Sequence, residues 1–341
     1  MGRFELYTEQ LSAPAVVIHG GAGNYLETTT EADRLARGRV LLDTAHGGMA
    51  NLGVEGPRAA VLASVMIMES DVRFNAGLGS KLQRDGMVRV SAALMSGRDL
   101  RLSAVYNVGG CLHPSELANI LHTRGDRNLD GEGAAQLMHE MGIDTVDLRT
   151  PQTIERWRSL IEKGEEADME GAIGDSGLGG LERARAAGLD VPENMKDLPP
   201  EGERYGTVGA VAVGEDGELW ACTSTGGRGH EHPGRVSDTP TPAGTYACSR
   251  VAISATGFGE QIMELNVTGR IATRILDGKS LHEALDQTFQ EVVAHQGALG
   301  VIAVTDDGWA GYAYSTDACG VAWVDGAGST HIDPHGRSEA D

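Results

Sequence analysis

Gly206-Thr207-Val208-Gly209, followed one hairpin later by Thr223-Ser224-Thr225-Gly226-Gly227, is the stretch on which the reading of this chain turns. A threonine opens a strand directly behind a glycine, and a second group of hydroxyls ends the next strand. A chain that cuts itself before Thr207 would free a threonine whose own α-amino group is the base its weakly nucleophilic hydroxyl needs. That amine, with an intrinsic pKa of about 7.7–8.0, takes up a proton near neutral pH. Taken alone, β-propensity explains a strand-opening threonine more simply. The surroundings must decide.

Outward from this point, Thr207 to Val213, the turn Glu215-Asp216-Gly217 and Glu218 to Thr223 read as a hairpin. Upstream, the apolar run Ala15 to Ile18 enters the glycine turn His19-Gly20-Gly21-Ala22-Gly23, and His19 beside that turn reads as structural. Helical spacing covers about Thr29 to Leu52 and Pro57 to Glu69, and the loop Phe74 to Gly79 leads to strands Met87 to Leu94 and Leu100 to Val108. Helices are expected over Pro114 to His122, Ala134 to Met141 and Pro151 to Glu162. The stretch Glu165 to Arg204, rich in Gly, Glu, Ala and Pro, reads as a mobile, solvated approach to the junction, with at most a short helix near Leu181 to Ala187. Downstream, strand Val251 to Ala255 runs into Thr256-Gly257-Phe258-Gly259. Helices Glu260 to Leu276 and Leu281 to Ala294 follow, the second behind a Ser280-x-x-Glu283 capping box. Strands Gly300 to Thr305 and Trp309 to Ser315 are expected to close the chain. Strands and helices in two groups each imply helices outside two stacked sheets.

Composition narrows the function classes. The 341 residues, 40% hydrophobic and 23% charged, describe a globular chain with a sizeable core. A net charge of −21 argues against nucleic acid and anionic membranes as partners, since phosphate recognition needs a basic surface. No apolar run is long enough to span a bilayer, and Met1 to Ala13 does not read as a signal peptide. The four cysteines, Cys111, Cys222, Cys248 and Cys319, are scattered, so disulfides and a zinc site are not expected and a reducing cytoplasm is. Only four lysines stand against 49 Asp plus Glu, a balance that suits a salt-rich cytoplasm and equally an ordinary acidic protein.

His19-Gly-Gly-Ala-Gly23, Phe74-Asn-Ala-Gly77, Gly206-Thr-Val-Gly209, Thr223-Ser-Thr-Gly-Gly227, Pro233-Gly-Arg-Val-Ser-Asp238 and Ala255-Thr-Gly257 occur together and in order. This set resembles the plant-type asparaginase/isoaspartyl peptidase family of N-terminal-nucleophile (Ntn) hydrolases, over about residues 15 to 325. The resemblance implies an α+β fold, the four-layer αββα sandwich, and autocleavage between Gly206 and Thr207. Residues 1–206 would form an α chain and 207–341 a β chain, together one Ntn-hydrolase domain, assembled as a dimer of αβ heterodimers. It implies hydrolysis of asparagine and of β-aspartyl (isoaspartyl) dipeptides. Thr207 would be the nucleophile, with Thr225 beside it and Asn75 orienting the site. Arg235 would hold the substrate α-carboxylate, Asp238 its ammonium, and Thr256 with Gly257 the oxyanion. No organic cofactor is implied and no side-chain metal ligand, only a structural sodium ion on backbone carbonyls of the loop from Met68 to Leu78.

The residue types suit those roles. Arginine's fork makes two parallel charge-assisted hydrogen bonds to a carboxylate, and a carboxylate three residues on can meet the neighbouring ammonium. An oxyanion donor is typically worth roughly 3–4 kcal/mol. Equally, Arg235 and Asp238 could form a plain loop ion pair, Thr225 and Thr256 could be ordinary strand residues, and Asn75 a turn residue. Two departures from the family pattern stand out. Ser91-Ala-Ala-Leu-Met95-Ser96-Gly97 carries serines where the family has two aspartates, and Arg228-Gly-His-Glu-His232 replaces the usual linker. His230-x-His232 invites a metal reading, but a solvated loop at the pocket mouth is favoured. The competitors are a glycosylasparaginase-like hydrolase, whose group shows Asp before the nucleophile and Thr-Ser-Thr-Asn-Gly, a nucleotide-binding module on His19 to Gly23, and an inactive relative acting as a binding protein.

Overall fold

The computed structural model describes residues 3–23, 31–162 and 206–333. The expected solvated stretch 165–204, with its short helix, lies outside them. Among the described residues, β2 (Ala15–Gly23), β6 (Val208–Val213), β7 (Leu219–Thr225) and β12 (Ala318–Asp325) are buried along nearly their whole length. Such runs, apolar at successive rather than alternate positions, mark strands covered on both faces. They form the middle of an eight-stranded sheet with β3 (Arg89–Ser96), β4 (Leu102–Gly109), β5 (Asn128–Leu129) and β13 (Thr330–Asp333), in the order β13-β12-β2-β6-β7-β3-β4-β5. A second sheet joins β1 (Glu5–Gln10), β8 (Thr245–Ala247), β9 (Val251–Gly257), β10 (Leu299–Thr305) and β11 (Trp309–Tyr314) in the order β1-β11-β10-β9-β8.

Three apolar layers follow from the side-chain alternation of these strands. Val16, Ile18, Val208, Ala210 and Ala212 point outward against α1 (Glu31–Glu55) and α2 (Pro57–Glu69). Val90, Ala92 and Val105 continue that face under α3 (Pro114–Leu121), α4 (Gly131–Met141) and α5 (Pro151–Glu162). Ile253, Ala255, Val301 and Ala303 of the smaller sheet take α6 (Gly259–Leu265), α7 (Val267–Leu276) and α8 (Leu281–Ala294). The alternate residues, among them Ala15, Val17, Val211, Val213, Ala252, Ile302, Val304 and Trp323, meet between the sheets. Each such Val, Leu or Ile contributes about 1.5–3 kcal/mol by leaving water. The chain is thus α+β, with helices outside two facing sheets.

Several expected elements change. The helix read as Glu260 to Leu276 is two, divided at Asn266, whose left-handed φ of 47° ends α6 and starts α7. Strands do not end at 315: β12 enters the large sheet beside β2, and β13 flanks it. The run Ala318 to Val324 carried the apolar signal for β12. β1, with its partly exposed pattern at a sheet edge, carried none. No helix of the described residues is long and apolar enough to cross a membrane.

Candidate active site

Between the sheets the lining changes along four strands at once, from aliphatic side chains to hydroxyls, an imidazole and glycines. Facing the gap, β6 and the residue before it read Val213, Val211, Gly209, Thr207, and β7 reads Leu219, Ala221, Thr223, Thr225. β9 reads Ala252, Ser254, Thr256, and β2 reads Ala15, Val17, His19, Gly21. The period of two carries each strand from core to site without a break. Thr207, Thr225 and Thr256 form the last layer, and His19, Thr223 and Ser254 the one beneath.

Thr207, 8% exposed, donates from Oγ1 to Thr225 Oγ1 at 3.0 Å. Thr225 Oγ1 also accepts from the Gly227 N–H at 3.2 Å. Thr256 Oγ1 accepts from the Ala22 N–H at 3.2 Å and reaches the Thr207 carbonyl at 3.5 Å. The Gly206–Thr207 peptide is therefore walled by the glycine turn on one side and Thr256 on the other. The turn comes so close that a Cβ on Gly21 would lie 2.2 Å from Gly206 N. With φ at 110°, only glycine fits there.

Arg235 and Asp238 converge on the start of α6, where a Cβ on Gly259 would stand 2.7 Å from both Arg235 Nη2 and Asp238 Oδ1. Arg235 does not pair with Asp238. Its Nε and Nη2 grip the two oxygens of Glu260 at 2.7 and 2.8 Å, the bidentate arrangement of a strong charge-assisted pair. Burial works against the charge on Glu260, but Arg235 outweighs it and holds the carboxyl below its ordinary range. Sequence reading missed Glu260, since an acid in a helix's first turn is ordinarily a partner of the helix dipole. Its place three residues after Gly257 was the available clue. Asp238 is fully enclosed, with Oδ2 making no hydrogen bond, and burial pushes its carboxyl up to about 7 against the pull of Arg235. An enclosed, underpartnered carboxylate beside a guanidinium can accept a cationic group.

Asn75 acts at one remove from Thr207. Its Nδ2 donates to the Gly227 carbonyl at 2.5 Å, its Oδ1 accepts from the Lys81 N–H at 3.0 Å, and its carbonyl accepts from the Gly226 N–H at 2.9 Å. Asn75 thus clasps the turn that carries Thr225. Gly257, with φ at 132°, closes β9 against Leu299. Ser91, one of the two unusual serines, lies opposite Thr225 and accepts from the Asn107 N–H at 3.0 Å. Asn107 in turn donates from Nδ2 to the Arg235 carbonyl at 2.9 Å, which links Ser91 to the Arg235 loop. Ser96 hydrogen-bonds Asp99 in the β3–β4 turn, at the other end of β3. The Arg228–His232 loop folds over Leu82 and Arg84, and the Arg228 guanidinium lies 4.8 Å over the Phe258 ring. That contact joins the ends of β7 and β9 at the rim. His232 Nδ1 sits on the Pro233 carbonyl at 2.8 Å.

A buried hydroxyl pair, a glycine-walled peptide and the Arg235–Asp238 loop stand at one end of two facing sheets. A profile of the asparaginase family matches residues 12–333. The chain belongs to the asparaginase family. Relatives of the same kind are found in bacteria and animals. An isoaspartyl peptidase/L-asparaginase of Nostoc sp. is 34% identical over 315 residues, 92% of each chain. One from Synechocystis sp. is 34% identical over 302 residues, 86% of this chain and 83% of its own. One from Bos taurus is 33% identical over 328 residues, 94% of this chain and 96% of its own. Within the family frame, Thr207, Thr225, Thr256 and the Arg235–Asp238 loop fall at one place in this structure. His19, read as structural, stands immediately below them.

Proposed function

We propose that this chain is a self-processing isoaspartyl peptidase/L-asparaginase that releases L-aspartate from β-aspartyl dipeptides and from asparagine, with Thr207 as nucleophile. The helix–sheet–sheet–helix order is, on this reading, the αββα sandwich of Ntn hydrolases. The observation that carries it is the Thr207–Thr225 hydroxyl pair at 3.0 Å on a peptide held between the glycine turn and Thr256.

Cleavage between Gly206 and Thr207 gives an α chain of residues 1–206 and a β chain of 207–341. The Thr207 α-amino group then takes the hydroxyl proton as Oγ attacks the substrate β-carbonyl. Arg235 binds the α-carboxylate and Asp238 the ammonium, so the side-chain carbonyl is the end presented to Oγ. The Thr256 hydroxyl and the Gly257 backbone hold the oxyanion. Collapse breaks the C–N bond, the amine leaves with a proton as ammonia or an amino acid, and water hydrolyses the β-aspartyl ester. Glu260 presents the Arg235 fork.

The chain's own carbonyls fit a monovalent cation in the loop from Met68 to Leu78. A Cβ on Gly77 would lie 2.2 Å from the Glu69 carbonyl oxygen and 2.6 Å from that of Leu112, and one on Gly79 2.0 Å from the Phe74 carbonyl oxygen and 2.6 Å from that of Val72. Hard carbonyl oxygens suit sodium, which would supply loop rigidity and no chemistry. We assign the small-molecule partners as asparagine and β-aspartyl dipeptides and the assembly as a dimer of αβ units. Four unpaired, buried cysteines fit a reducing cytoplasm.

The test is intact mass and denaturing electrophoresis of the protein beside Thr207→Ala. Fragments of residues 1–206 and 207–341 in the parent alone, with loss of ammonia release in the variant, are expected. An uncut parent chain would leave an inactive relative as the reading.

A further inference from the structure

Gly209 lies two residues beyond Thr207, opposite His19 on β2 and Thr223 on β7. It faces Ser254 across the gap, and a Cβ there would be 2.0 Å from Ser254 Oγ and 2.4 Å from His19 Nε2. Those two groups fill the space a side chain would take. His19 Nε2 lies 2.8 Å from Ser254 Oγ, and Ser254 Oγ lies 2.7 Å from Thr223 Oγ1. All three residues are wholly enclosed. The chain of groups joins three strands, β2 and β7 in one sheet and β9 in the other, one pleat repeat or about 7 Å below the nucleophile layer. His19 Nδ1 is buried without a full hydrogen bond, and the ring lies beside the Thr207 backbone. Burial pushes the imidazole pKa down to about 3 against the pull of that backbone carbonyl, so the ring is neutral and serves as neither acid nor base near pH 7.

We propose that His19 is a positioning residue for Thr207: the Thr223–Ser254 hydroxyls brace its ring in the Nδ1–H tautomer, and that N–H holds the Thr207 carbonyl in the processed enzyme. Proton order is the reason. The Thr207 carbonyl can only accept, so the ring nitrogen beside it, Nδ1, carries the proton; a neutral ring protonated there accepts at Nε2, which makes Ser254 the donor to Nε2 and leaves its Oγ to accept from Thr223. The only unsatisfied donor in the row then points at the residue whose α-amino group and Oγ perform the chemistry. Anchoring its carbonyl would fix both relative to Thr225. This inference rests on Thr207 being the nucleophile.

The experiment pairs 15N-histidine NMR of the processed, unmodified enzyme with kinetics of His19→Phe, His19→Gln and Ser254→Ala. A non-titrating Nδ1–H tautomer for His19 is expected from pH 5 to 9. In His19→Phe and Ser254→Ala, kcat should fall about ten- to a hundredfold, the scale of a misplaced reacting group, while KM for asparagine stays near the parent value. His19→Gln keeps an N–H donor and an acceptor side by side on its terminal amide and should recover part of kcat. An Nε2–H tautomer, or Ser254→Ala with parental kcat, overturns the inference even where His19→Phe does not fold. Thr207→Ala separates the two failures. If it is cut or active, the nucleophile assignment falls; if it is inert while the His19 variants behave as parent, only the positioning role falls.

Discussion

Asp238, proposed above as the partner of the substrate ammonium, is held at a cost in stability. Its carboxyl is enclosed and underpartnered, and burial holds it near 7 where a free one ionises near 4. A folded-state pKa raised this far favours the folded chain below the unfolded value, and the advantage is lost as pH rises through about 7. Asp238→Asn should therefore raise the melting temperature at pH 8, by a stability gain on the order of a few kcal/mol, and leave it little changed at pH 4. Calorimetry at the two pH values reads this directly. The same variant should lose most of its affinity for asparagine, and in the parent enzyme kcat/KM should fall as pH drops below about 7, where the carboxyl gains its proton. The place of Arg235 and Asp238 in one loop was legible in the sequence, and the roles proposed for them come from the family resemblance, which a fork and a carboxylate three residues apart suit. The grip of Glu260 on Arg235 was not, since it spans 25 residues and depends on how the clamp loop meets α6.

Elements in this molecule carry their own stop and start signals, and these are mostly local. Ser280 caps α8 with its side chain on the Glu283 N–H while Glu283 returns to the Ser280 N–H, as the Ser-x-x-Glu spacing predicts. Because this box is exposed and remote from Thr207, Ser280→Ala should cost about 1 kcal/mol by denaturant melts and leave kcat/KM unchanged. A loss of activity in proportion would mean that α8 communicates with the site. The break between α6 and α7 had no such plain mark. Asn266 adopts a left-handed conformation that any reading by apolar spacing passes over, although asparagine tolerates it better than most residues. Edge strands fared worst. β1 and β13 are short and partly exposed, and what makes them strands is pairing with β11 and β12 rather than their own composition.

Over the whole molecule the acidic surface is the dominant electrostatic fact. A net charge of −21 opposes compactness through self-repulsion that salt screens within a Debye length of about 10 Å at 0.1 M. The melting temperature should rise on going from low salt to molar sodium chloride, and activity with it. A flat response in both would show that the acid excess is mere composition. By itself the sequence determined helices outside two stacked sheets, because apolar strand runs such as Val208 to Val213 and helical spacings each fall in two groups. It also determined where hydroxyls replace aliphatic residues at the ends of those runs, and from six ordered motifs the family. Only the tertiary structure decided which of these groups touch. His19 and Ser254 are 235 residues apart, and Thr223 meets Ser254 from the opposite sheet. No periodicity along one strand encodes such contacts, because they follow from the register and stacking of sheets that exist only once the chain has closed.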